Sequence, residues 1–165
     1  MENKEKNIVK GIIAGAVAGL VATFVMTKYQ QLSQNIMGND DNEADDKGDP
    51  ATVKAANMIT KNVFDHKLEK DEKEFAGQTM HYLMGGVSGA IMGATAEYTD
   101  LAKMGGGLLS GTAIWAVADD VIVPALGLAK SPTETSLSTH AYALTSHWVY
   151  GTVSEYVRRA IRNML

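Results

Sequence analysis

The feature that most constrains this chain is where its charges are missing. The 17 residues Gly11 to Thr27, between Lys10 and Lys28, contain no Asp, Glu, Lys or Arg. Phe75 to Ala96 is free of them for 22 residues, Met104 to Ala118 for 15 and Thr135 to Ser154 for 20. Asp119 and Asp120 interrupt the third stretch, and Val121 to Ala129 is again uncharged. A hydrocarbon core about 30 Å thick is crossed by about 20 residues of helix. The chain therefore reads as all-α: a four-transmembrane-helix bundle in a single membrane domain, with spans at about 8–29, 78–98, 104–126 and 137–157. A soluble four-helix bundle also gives four apolar segments. It needs a polar stripe of Lys and Glu on each helix, and the first two segments have none.

The remaining charge gathers in one place. Residues 31–77 hold eleven acids and six lysines, a polar loop of net charge −5. Its part from Gly38 to Gly48 is acidic and turn-rich and is expected to be mobile. Asp49-Pro50 then marks a helix start, with the cap just before the proline. Val53, Ala56, Ile59, Val63 and Phe64 follow at helical spacing, which predicts an amphipathic helix over 50–72 in this first extramembrane loop.

Composition excludes several functions. With no cysteine there is no disulfide scaffold, thiolate metal site or Cys nucleophile. A net charge of −4 argues against a nucleic-acid partner. The first apolar segment is long for a signal peptide and runs into Lys28-Tyr29-Gln30, so it is expected to stay as an anchor in the lipid bilayer. Lys4, Lys6 and Lys10, Lys103, and Arg158, Arg159 and Arg162 fall on one side of a four-span chain. The positive-inside rule then places both termini in the cytoplasm and loop 31–77 outside.

Glycine recurs every fourth residue at Gly11, Gly15 and Gly19, at Gly85, Gly89 and Gly93, and at Gly107 and Gly111. In lipid such rows let two helix backbones approach closely. The contact is either within one chain or between copies in a homo-oligomer, and the spacing does not choose.

Polar groups inside spans are expensive and usually face the bundle interior. His81, Asp119, Asp120, His140 and His147 come to similar depth in this topology. His140 and His147 lie two turns apart on one helix face, whereas Asp119 and Asp120 point about 100° apart, so one aspartate is expected to face the histidines. Three uses are open. His81, His140, His147 and Asp120 could hold a divalent metal such as zinc, iron or manganese. The same groups could pass protons or hold a small solute, since imidazole titrates near neutral pH. Or each histidine simply pins two helices together. Glu97 and Glu155 sit at the inner end with Arg158 and Arg159, which suggests interfacial salt bridges. The sequence holds no ExxH or HExxH motif, nucleophile elbow, phosphate-cradling loop or dinucleotide fingerprint, so no catalytic residue is assigned and an enzyme is the less expected reading.

Three strings carry a resemblance. They are His81-Tyr82 with Gly85, Gly89, Gly93 and Ala96-Glu97; Trp115 with Ala118-Asp119-Asp120, Pro124 and Leu126-Gly127-Leu128; and Pro132-Thr133 with Ser138, His140, His147, Tyr150-Gly151, Glu155 and Arg158. Over roughly 8–160 the chain resembles the YagU-like bacterial inner-membrane proteins, a family defined without an assigned function. The resemblance implies a multi-span protein of the bacterial inner membrane and brings no reaction or substrate with it.

Overall fold

The computed structural model describes residues 6–37 and 48–165; the acidic stretch expected to be mobile lies almost wholly outside them. Every regular element among the described residues is a helix, with no strand. Helix α1 is Ile8–Met37, α2 is Ala51–Phe64 and α3 is Lys73–Ala96. A 3-10 turn, Leu101–Gly107, leads into α4, Leu108–Ile114. The same rod continues through a π-helical stretch, Trp115–Ile122, into the short α5, Val123–Ala125. A second 3-10 turn, Pro132–Glu134, precedes α6, Leu137–Met164. Two of these segments, Ile8–Ile36 and Leu101–Ala125, are long and apolar enough to cross a membrane.

Local chemistry explains the boundaries. Gly105, Gly106 and Gly107 all take positive φ (62°, 65° and 100°), a turn that a side chain would strain, and Gly107 caps α4. Pro124 is the next-to-last residue of the rod; its ring nitrogen has no N–H to give to the preceding turn, and the helix ends one residue later. Ser136 caps α6 by accepting from the Thr139 amide at 3.2 Å.

Helix α2 is shorter than the pattern over 50–72 suggests. It ends at Phe64, because Asp65 takes a left-handed conformation (φ 51°) and turns the chain. Asp49 does not cap it either: Pro50 holds the cap position, and the Asp49 carboxylate pairs instead with Lys73 at 2.7 Å. Only the first half of α2 docks. Val53 and Ala56 are buried, with Val53 in the hollow above Gly77 of α3, while Val63 and Phe64 are exposed.

Helix α1 packs against both α3 and α6, and α4 packs against α6. The α1–α3 contact runs through the glycine rows in antiparallel order. A Cβ on Gly11 would lie 2.6 Å from the Gly93 carbonyl oxygen, and one on Gly89 would lie 2.7 Å from the Gly19 Cα. Gly107 and Gly111 meet the backbone of α6 at Gly151 and His147 in the same way. The rows therefore face each other, or α6, within one chain.

Small side chains make up much of the interior, beside a few methionines and Tyr150, while many large apolar side chains are outside. Ala14, Ala18, Ala22, Thr23 and Ser146 are completely buried. Val9, Val17, Phe24, Leu83, Val87, Ile91, Val117 and Val121 are all exposed.

Candidate functional site

A cavity of about 480 Å³ opens where α1, α3, the α4–α5 rod and α6 meet, with the first turns of α2 on its rim. His81 reaches it from α3, Asp119 and Asp120 from the π-helical stretch, and His140 and His147 from α6. All five polar residues singled out from the sequence line this one space. Trp115, Lys130 and Tyr150 line it too.

The two aspartates each meet a different histidine. His140 Nδ1 lies 3.5 Å from Asp120 Oδ1, and His147 Nδ1 lies 3.6 Å from Asp119 Oδ2. The expectation that one aspartate would face the histidines is thus corrected. The wider π-turn changes the angle between neighbouring side chains, and the two histidines, about 10 Å apart along α6, offer a partner at each level.

Hydrogen-bond partners fix the neutral tautomers. His140 Nε2 donates to the Pro132 carbonyl at 2.9 Å, so its Nδ1 is the atom that gains a proton, directly beside Asp120. His147 Nδ1 donates to the Ala143 carbonyl at 2.9 Å, leaving Nε2 to accept. His81 has no hydrogen-bond partner among the described residues. The rings of Trp115 and His140 meet edge-on with centroids 5.9 Å apart, and the buried Trp115 indole N–H has no hydrogen-bond partner among the described residues.

The metal set His81, His140, His147 and Asp120 does not assemble. No three His, Asp or Glu side chains among the described residues converge on one point. The reason is spacing: the pairs stand at separate levels across the cavity, whereas a divalent ion needs its ligands within about 2.0–2.6 Å of one centre.

Tyr150 is buried, and its hydroxyl donates to the Gly85 carbonyl at 2.6 Å, bridging α6 and α3 at the cavity wall. A glycine that leaves its carbonyl uncovered beside a tyrosine on another helix has no local sequence signal.

A second ionic cluster closes the other end of the bundle. Glu155 is fully buried and accepts from Arg158 Nε at 2.7 Å and Nη2 at 2.9 Å, and also from Arg159. The pair with Arg158 is buried, whereas Arg159 is half exposed. Glu97 pairs with Arg162 Nε at 2.6 Å and Nη2 at 2.9 Å and accepts the Asn7 amide at 2.9 Å. It thereby ties α3 to the last turn of α6 and to the start of α1. Arg162 was missed as a pairing residue, although its four-residue spacing from Arg158 puts both on the face of Glu155. Nearby, the Lys103 ammonium holds the Asp100 carboxyl below the usual carboxylate range.

No family model matches the chain, and neither a curated protein nor a solved structure matches it.

Proposed function

We propose that this chain is a four-span helical protein of the bacterial inner membrane, with both termini cytoplasmic, whose His/Asp cavity takes up and passes on protons or a small polar solute. The inside-out distribution of side chains supports the membrane placement. In water, Phe24, Val87 and Ile91 would be driven inward. In lipid no such drive separates them from the surroundings, and helices associate through small residues, as Gly, Ala, Ser and Thr do here. The resemblance to YagU-like proteins points the same way.

One observation carries the functional reading: two histidine–aspartate pairs face one cavity without closing into tight ion pairs. A neutral His140 leaves Nδ1 bare beside Asp120, and the imidazolium satisfies both of its neighbours. The pair can therefore accept a proton with little rearrangement and release it to a neighbour. The alternative, a packing protein that self-associates through its glycine faces, has less support, because those faces cover one another within the chain.

The test uses the full chain reconstituted in vesicles with an entrapped pH-sensitive dye. An imposed pH gradient should collapse faster than in empty vesicles, and the double variant Asp119→Asn/Asp120→Asn should return it to the empty-vesicle rate. Wild-type protein that neither speeds the collapse nor changes its melting curve between pH 5 and 7 refutes the proposal.

A further inference from the structure

A second concavity, about 500 Å³, lies at the end of the bundle away from the histidines. Its wall carries five cations, Lys6, Lys103, Arg158, Arg159 and Arg162, against two carboxylates, Glu97 and Asp100. Glu155 beneath the wall makes a third, so an excess of two positive charges remains.

The excess can be located. Arg158 and Arg159 share the single carboxylate of Glu155, while Lys103 has Asp100. Arg159 gives Glu155 only its Nε, and its side chain is 49% exposed. Its two terminal nitrogens have no partner among the described residues. The Lys6 ammonium lies 5.7 Å above the Tyr98 ring, a contact that leaves its hydrogen-bond donors available.

We infer that this groove binds a phosphate-bearing anion, with Arg159 and Lys6 as its principal donors. The outer edge of a guanidinium matches two phosphate oxygens. Holding Arg159 by its Nε fixes that edge before the ligand arrives, which lowers the cost of ordering it. The anion is either the head group of an anionic phospholipid or free phosphate. Basic pockets at the cytoplasmic ends of helices take up such head groups. The lipid source rests on the membrane placement proposed above; the free-phosphate source does not.

The test uses the purified full chain in detergent. Phosphatidylglycerol, phosphatidylcholine and inorganic phosphate are titrated separately, and the melting temperature is read. Phosphatidylglycerol should raise it at concentrations at least fivefold below those phosphatidylcholine needs. Arg159→Gln and Lys6→Gln should each reduce that preference by fivefold or more, while melting near the wild-type temperature without additive. A response to inorganic phosphate lost in the same variants assigns the site to free phosphate. No preference for either anion over phosphatidylcholine overturns the inference, as does a preference that both variants retain.

Discussion

The two ends of the bundle use the same chemistry to opposite effect. At one end Glu97 and Glu155 meet arginines at 2.6–2.9 Å through two-pronged contacts, and both carboxylates are nearly dry. At the other, Asp119 and Asp120 stand 3.5–3.6 Å from histidines around an open cavity. A guanidinium keeps its charge at any relevant pH, so the first set is permanent and does structural duty. An imidazole gains and loses a proton near neutrality, so the second set can change state. The contrast teaches that two polar clusters in one bundle can differ in tightness and in whether their charge is fixed, and the proposed function rests on that difference.

The sharpest way to break the comparison is Glu155→Ala. It strands Arg158 in a buried place, and removing one member of a buried pair costs about 3–5 kcal/mol. Chemical denaturation of the purified protein should show the loss, and a change under about 1 kcal/mol would mean that water reaches Arg158. Gly89→Ala comes next. Its new methyl group would lie 2.7 Å from the Gly19 Cα and would force α1 and α3 apart. Overpacking of this kind costs about 1–3 kcal/mol. A stability equal to wild type would show that the two helices slide freely on their glycine rows.

At the loose end the expected stability change is smaller. Asp120→Asn removes a partner that His140 does not yet grip, so stability at pH 7 should change by less than about 1 kcal/mol in chemical denaturation. A loss as large as that of Glu155→Ala would show that this pair is as tight as the arginine pairs at the other end.

Much of this arrangement is legible in the sequence, because it follows from one-dimensional facts. The charge-free stretches give the four long helical segments, and Pro124 stops the third within two residues. The four-residue glycine period gives close packing. The seven-residue spacing of His140 and His147 gives one histidine face. What escapes the sequence depends on geometry between elements. An ideal helix turns neighbouring aspartates about 100° apart, and only the π-helical stretch lets both reach a histidine. The bond between Glu97 and Arg162 joins residues 65 apart, so no local pattern announces it. Helix α2 stops at Phe64 because Asp65 turns left-handed, although the apolar spacing before it is helical.

A third carboxylate separates tightness from burial. Glu72 accepts the Glu69 amide and meets His66 Nε2, each at 2.8 Å, closing the turn between α2 and α3 in full contact with solvent. The backbone hydrogen bond from Glu69 and then His66 hold its carboxyl below the usual carboxylate range. A lowered carboxyl stabilises the fold above its unfolded value, near 4.5, and that contribution is lost as pH falls below it. Hydrogen exchange at the Glu69 amide should therefore be slower in wild type than in Glu72→Gln at pH 6, and the difference should shrink as the pH falls below 4.5. Global melting should not distinguish the proteins, since an exposed pair is screened by water. If Glu72→Gln instead lowered the melting temperature as far as Glu155→Ala does, short distance alone would set the strength of these pairs. The division between a dry structural end and a slack titratable end would then lose its physical basis.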